Sequence, residues 1–242
     1  MTGHAYGSTG LSNVGYVYTA KAGILDIGHI RDHVDLTKYI YEAIVAGYTK
    51  IPCREGTATV PKKPVDPIAT AQAIAYVDSW SHEIRTFGTV SQDFSAFSPE
   101  DLTSNFMGTL IGSLALVSGG PGAGFNAAVD AELSGMLTAL GARSRADTEA
   151  AIAIKKGVWW ERLPLPSLIR RNFDGKPWLA GMPYDSPPPP AFIDPATLAS
   201  RYADFDYESL PLADSSKAKL ADFASVTARF RAPFTAAGTD RP

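Results

Sequence analysis

Asp26, His29, Arg31, Asp32, His33 and Asp35 fall inside one ten-residue window, and each of them carries or can carry a charge. The window runs without a break into the apolar stretch Tyr39–Val45. A helix that changes from polar to apolar within two turns has its polar end pointed at something. Residues three and four apart share a helix face, so His29, Asp32 and His33 are expected to point the same way. The His29–His33 line continues into Leu36, Ile40 and Ile44, which is expected to be the core-facing stripe. Two imidazoles at i and i+4 can ligate one metal, as in zinc peptidases. The residues between them here are Ile30, Arg31 and Asp32, so the glutamate of the peptidase motif is absent. The competing reading leaves Asp32 and Asp35 solvated near the positive helix N-terminus, with the histidines hydrogen-bonded at the core edge.

A second constellation is Trp80-Ser-His-Glu83 on the next helix. Glu83 falls on the line Tyr76, Trp80, Glu83, Phe87, which puts its carboxylate among aromatics. Such a carboxylate must be paired, metal-bound or protonated with a raised pKa, and each option is useful to an enzyme. His82 falls beside Asp78 and Arg85 on the polar face and leans structural. A third is Ser98-Pro-Glu-Asp101, close to a capping box, with acids that suit the helix dipole. Capping explains less about the line Asp101, Asn105, Gly108, Gly112, where missing side chains let another helix, expected to be the first, approach closely. A fourth gathers Gly157–Glu161 with Arg170, Arg171 and Asp174; the arginines could pair with the acids above or clamp an anionic substrate. Tandem Trp159 and Trp160 read more simply as core or interface.

These groups need elements to hold them. Tyr16–Ala20 has strand composition and leads into a turn at residues 21–23. The first helix is expected from about Ile27 to Val45, capped by Asp26 and stopped at Gly47. Residues 48–65 read as a loop or small hairpin. Asp66-Pro67 opens a second helix that runs to Phe87. A third spans residues 98–119, a fourth about Gly124–Leu140, and a fifth about Arg145–Trp160. Gly119–Gly124 follows a helix rather than a strand and reads as an interhelical turn, not a phosphate loop. The whole reads as mainly α: a single helical domain of about five core helices with minor β-content and a Pro-rich C-terminal wrap. Its parts are a flexible N-terminus over 1–14, a helical body over 15–160, and a Pro-rich extension with short helices over 161–242.

Composition narrows the function classes. A net charge of −3 and a pI near 5.8 argue against nucleic acid as a partner. Cys53 is the single cysteine, which rules out an intramolecular disulfide and a cysteine zinc cage. The apolar run Leu110–Val117 is too short to span a bilayer, so no transmembrane segment is expected. As written the chain reads as cytoplasmic, or as periplasmic or envelope-bound if a leader has been removed. Charged residues make up only 19%, which is compatible with a homo-oligomer or an apolar cleft. There is no GxSxG elbow, P-loop or dinucleotide fingerprint.

Residues 18–35, Trp80–Glu83, Ser98–Asn105 with Gly108, and Gly157–Trp160 with Arg171–Asp174 and Pro177–Leu179 resemble, in order, the blocks of a bacterial family known as a domain of unknown function (number 4056). The resemblance covers roughly residues 10–180. It implies interest in His29, Arg31, Asp32, Asp35, His82, Glu83, Glu100, Asp101 and Asn105, while His33 lies outside the family pattern. Many members look like envelope lipoproteins.

The functional expectation is an enzyme with a His/carboxylate site between helices, acting on a small or lipid-like substrate. Its first form is metal-dependent hydrolysis, with zinc, manganese or iron held by His29, His33, Asp32 and Glu83. Catalysis would use Glu83, His29, Asp32 and Asp101, and substrate would meet Trp80, Tyr76, Asn105 and Arg171. One alternative needs no cofactor: acid–base chemistry, a cyclisation or isomerisation, on an apolar substrate. Another is a non-catalytic envelope or scaffold protein whose polar cluster fixes the helix packing.

Overall fold

The computed structural model describes residues 15–88, 96–157 and 205–210. Strands β1 (Tyr16–Thr19) and β2 (Gly23–Asp26) pair antiparallel, Tyr16 opposite Asp26 and Thr19 opposite Gly23. The Thr19 hydroxyl closes the turn by accepting the Ala22 N–H and donating to the Gly23 carbonyl. Gly23 takes φ +71°, a value only glycine adopts without strain. Only Gly23 of β2 was expected in the turn, and Asp26 as the cap; with Ile24 and Leu25 between them the four form a fully buried strand that was not anticipated.

β2 runs directly into helix α1 (Ile27–Val45), with Asp26 as the cap. After a hairpin of β3 (Lys50–Pro52) and β4 (Gly56–Thr59) comes α2 (Pro67–Gly88). Asp66 opens α2 by accepting the Ala69 N–H, as its Asp-Pro signature requires. α3 (Asp101–Gly119), α4 (Phe125–Ala139) and α5 (Arg145–Lys155) follow. α5 stops at Lys155, short of Trp160, where Gly157 takes φ +77°. Strand β5 (Asp206–Ser209), which the sequence reading did not anticipate, joins the second sheet in the order β3-β4-β5. The fold is mainly α with minor sheet. The expectations for residues 1–14, and for 161–242 apart from 205–210, lie outside the described residues.

α1, α2 and α3 pack around one core that includes Leu25, Ile30, Val34, Trp80, Phe97, Leu102 and Ile111. A second cluster, Ile40, Ile44, Ile51, Ala58, Ile74 and Ala75, lies where α1 and α2 meet the β3–β4 hairpin. α1 meets α3 at two glycines. A Cβ on Gly108 would stand 2.3 Å from the Ile30 carbonyl oxygen, and one on Gly112 3.0 Å from Thr37 Cβ. Only bare backbone permits that approach. α3 is long and apolar enough to cross a membrane by length and composition, yet most of it is buried inside the protein. Its buried hydroxyls bond back to its own carbonyls, Ser104 to Glu100, Thr109 to Phe106 and Ser113 to Thr109, so they add no unmet polar demand to the core.

Candidate functional site

The N-termini of α1 and α3 converge, and buried carboxyl groups gather between them. Asp26 sits at the first. Its Oδ1 accepts the N–H groups of Gly28 (2.7 Å) and His29 (3.3 Å), satisfying two donors that a helix start leaves free. The Asp26 N–H donates to Ser104 Oγ at 2.8 Å, and Ser104 donates on to the Glu100 carbonyl. That relay ties β2 and α1 to the first turn of α3. Glu100 and Asp101 begin α3, where the helix dipole favours negative charge.

Asp101 has two partners. Its Oδ2 accepts the Ser98 N–H at 3.0 Å, half of the capping box read from the sequence. Its Oδ1 lies 3.1 Å from His29 Nδ1, across the α1–α3 contact that the glycines allow. The second Asp26 oxygen is 3.6 Å from the same nitrogen. His29 Nδ1 is sealed from solvent, whereas the side chain as a whole keeps 35% of its exposure. The ring therefore spans the boundary between the acid cluster and the surface.

Glu83 enters from α2. Its Oε2 accepts the Phe97 N–H at 2.7 Å. Phe97 is buried yet takes φ +56°, which costs a residue with a bulky side chain on the order of 1–3 kcal/mol. The strained turn has a visible use. It presents consecutive backbone donors, Phe97 N–H to Glu83 and Ser98 N–H to Asp101, as a cradle for two carboxylates. The wall behind is aromatic: Tyr76 on Phe106 with centroids 5.5 Å apart, Trp80 on Phe97 at 5.9 Å and Phe87 on Phe97 at 6.2 Å.

The electrostatics follow from crowding four carboxyls into a dry place. Burial, then repulsion from Asp101, pushes the Glu83 and Glu100 carboxyls up to about 8. Asp26 is raised by burial as well, although the His29 charge pulls it back. Burial opposes a charged His29, but Asp101, then Asp26 and Glu83, outweigh it and lift its pKa to about 10. At neutral pH the cluster thus holds a cationic imidazole beside the Asp101 carboxylate, with Glu83 and Glu100 as neutral acids. Tyr16, half-buried on β1, stays a phenol because burial and the Glu100 carboxyl raise its pKa. Glu100 Oε2 and Asn105 Oδ1 are buried with no hydrogen-bond partner, although the Glu100 carboxyl as a whole is hydrogen-bonded with the Tyr16 phenol and the Ser98 side chain.

Of the residues picked out from the sequence, His29, Glu83 and Asp101 come together, with Asn105 one turn beyond Asp101. Tyr76 and Trp80 stand in the neighbouring aromatic wall. Two others go elsewhere. Asp32 is exposed, because the buried face of α1 is Ile27, Ile30, His33, Val34, Thr37, Ile40 and Ile44, turned away from it. His33 is buried, but its Nδ1 lies 2.8 Å from the His29 carbonyl, to which it can only donate. Burial lowers its pKa to about 4 and keeps it neutral. The ligand set His29, His33, Asp32 and Glu83 is therefore split, and among the described residues no group of three or more His, Cys, Asp or Glu is placed to hold a metal ion. Arg171 lies outside the described residues. Asp26 and Glu100 read from the sequence as caps and Tyr16 only as strand, although the family resemblance also pointed to Glu100.

His82 belongs to a different cluster. Its Nδ1 lies 2.7 Å from Glu55 Oε1, while Arg85 Nε reaches Glu55 Oε2 at 2.6 Å. Asp78 accepts the Glu55 N–H and a short hydrogen bond from the Tyr207 hydroxyl, tying α2 to β5.

The chain matches the family described as Protein of unknown function (DUF4056) over residues 2–51 and 59–176. No curated protein and no solved structure matches it.

Proposed function

The chain belongs to the DUF4056 family, and we propose that it is an acid–base enzyme that shifts protons on a small, largely apolar substrate, as an isomerase or cyclase does. The observation that carries this is the pairing of unlike neighbours: Glu83 held neutral by burial, next to Asp101 held against the His29 imidazolium. A buried carboxyl kept protonated at neutral pH beside a carboxylate–imidazolium pair is a usual mark of an assigned acid and an assigned base.

Glu83 is the acid and donates its proton to one substrate atom. The Asp101 carboxylate is the base and takes a proton from another, so the substrate leaves with its proton count unchanged. His29 resets the pair, since its sealed Nδ1 faces Asp101 and the rest of its side chain reaches solvent. The aromatic wall of Tyr76 and Trp80 accounts for an apolar substrate, and Asn105 supplies an amide to orient it.

Deuterium uptake tests this without a known substrate. Small ketones and alkenes incubated with the protein in heavy water should gain deuterium by mass spectrometry. Uptake should fall by about 100-fold in Glu83→Gln and in Asp101→Asn while both variants remain folded. A panel that stays unlabelled with wild type, or labels equally with Glu83→Gln, would sink the reading. A cluster that only fixes helix packing predicts the reverse pattern: loss of stability in Glu83→Gln with no activity to lose.

A further inference from the structure

Two titratable groups of the cluster take no part in the proton exchange of Glu83 and Asp101: Glu100 at the start of α3 and Tyr16 on β1. They are joined to each other. The Tyr16 phenol and the Ser98 side chain both donate to the Glu100 carboxyl. Its Oε2 is buried without a partner, so those bonds fall to Oε1, and the residue as a whole is only 6% exposed. In a carboxylic acid the oxygen that accepts hydrogen bonds is the carbonyl oxygen, and the proton sits on the other. Burial, then the Asp101 charge, keeps Glu100 protonated up to about 8. At neutral pH its Oε2 is therefore a hydroxyl that donates to nothing, on a carboxyl held from its other oxygen by Tyr16 and Ser98.

The complement of such a group is narrow. A single O–H needs an acceptor, which a cation does not offer, and the Asp101 carboxylate beside it repels an anion. An alcohol or ether oxygen accepts but gains no charge when a base acts nearby. A carbonyl oxygen does gain charge: once a proton leaves the adjoining carbon, the electrons move onto the oxygen, and a preorganised donor is worth most there. A carboxylic acid kept neutral in a dry place is a strong donor to that oxygen. The carbonyl oxygen and the adjoining carbon are two bonds apart, so donor and base must come from neighbouring positions. Glu100 and Asp101 are consecutive residues, and Asp101 is the charge that acts most strongly on Glu100.

We propose that Glu100 Oε2 donates to the carbonyl oxygen of the substrate, with Tyr16 and Ser98 as positioning residues behind it, so that the site takes small apolar carbonyl compounds with a hydrogen on the carbon beside C=O. This rests on the acid–base reading and names its substrate class. Asp101 takes that hydrogen as a proton. The C–H electron pair becomes a C=C bond, and the C=O pair moves to oxygen, where Glu100 donates its hydrogen bond and keeps its proton. Glu83 then gives a proton to carbon and the C=O bond re-forms, with no oxidant or co-reactant.

Infrared spectra of cyclohexanone bound to the full chain test the inference, because the C=O stretch falls as its oxygen accepts a stronger hydrogen bond. The bound band should lie below that of the ketone in water. The lowering should vanish in Glu100→Met, which keeps the length and loses the donor, and shrink in Tyr16→Phe. The other titratable groups gathered there are Asp26 of β2, Glu83 of α2, Asp101 of α3 and His29 of α1. With Glu83→Gln as background, the lowering should persist at pH 7 and disappear by pH 9.5 as Glu100 loses its proton. No bound band, a band unshifted from water, or the same shift in Glu100→Met overturns the inference. Should Glu100→Met fail to fold, the pH series decides alone, and a shift that survives at pH 9.5 overturns it.

Deuterium uptake tells the two readings apart. Cyclohexanone should be labelled and cyclohexene not, and Glu100→Met should slow the ketone about 100-fold. Ketone and alkene labelled alike, with Glu83→Gln still inactive, overturn the carbonyl site alone. A ketone left unlabelled by wild type, or labelled equally by Glu83→Gln, brings down the acid–base reading itself.

Discussion

At the β3–β4 hairpin two carboxyls, Glu55 and Asp78, meet Arg85, His82, Arg54 and the Tyr207 hydroxyl; at the starts of α1 and α3 four carboxyls meet one imidazole. Both clusters are largely buried, both draw on α2, and Glu83 and His82 are consecutive residues. One helical step of about 100° sends the two to opposite accounts of charge. The hairpin cluster is compensated by side chains that hold one geometry, which is what a structural tie requires. The other is compensated largely by protons. Protons can leave, so this is the region able to do chemistry, and the contrast tells the two apart better than burial or residue type does.

The largest expected effect tests how the reactive region is assembled. Gly108→Ala drives a methyl into the Ile30 carbonyl and should cost about 3 kcal/mol in urea unfolding. Gly112→Ala, whose neighbour is a side chain, should cost less.

Next comes the comparison itself. Glu55→Gln strands Arg85 and His82 and should cost about 2 kcal/mol, moderated because both partners are about one-third exposed. Glu83→Gln should change stability by less than about 1 kcal/mol, since at neutral pH it replaces a neutral carboxyl by a neutral amide of the same shape. Equal losses in the two variants would erase the distinction.

A third measurement uses pH. The Glu83 and Glu100 carboxyls have folded pKa values of about 8, above their ordinary 4.5, so between these values the folded state binds more protons than the unfolded. Their contribution to stability is full below about 4.5 and is lost as pH rises through 8. His29 acts in the same direction, present below 6.5 and lost toward 10. His33 opposes it only at lower pH, where its contribution is lost as pH falls from 6.5 to 4. Stability should therefore decline from pH 7 to pH 9.5, less steeply in Glu83→Gln and at the wild-type slope in Glu55→Gln.

Asp101→Asn should lower the His29 imidazole titration seen by NMR, because its chief favourable partner is gone. The smallest effect belongs to Asp32→Ala. An exposed aspartate away from the cluster should change stability by no more than about 0.5 kcal/mol.

What the sequence made legible was local. Asp26 as a cap, Asp66-Pro67 as a helix start, Glu83 among aromatics and the Gly108/Gly112 approach to α1 all follow from spacing along one segment. Asp32 was misplaced because a stripe through His29 and Leu36 and one through Ile30 and Thr37 differ by a single step of helix phase. Local periodicity could not choose between them; packing against α3 did. The Phe97 turn, the role of Glu100, and the pairing of Glu55 with His82 and Arg85 each need a partner from another element, so no window along the chain contains them. β5 is the extreme case, a strand set by pairing with β4 about 150 residues earlier.

The hairpin β1–β2 places Asp26, but it is itself pinned by distant residues. The Tyr18 N–H donates to Thr148 Oγ1, Arg143 N–H to the Tyr18 carbonyl, and Ala20 N–H to the Gly141 carbonyl. A chain emerging from the ribosome therefore completes its site-bearing residues by Asn105 yet cannot secure the β1–β2 hairpin until the α4–α5 turn and the start of α5 have appeared. The hairpin cluster waits longer still, for Tyr207 and Ser209. Assembly is then ordered in time, reactive region before structural tie, and nascent chains halted at about residue 160 and about residue 215 should differ in which of the two resists proteolysis.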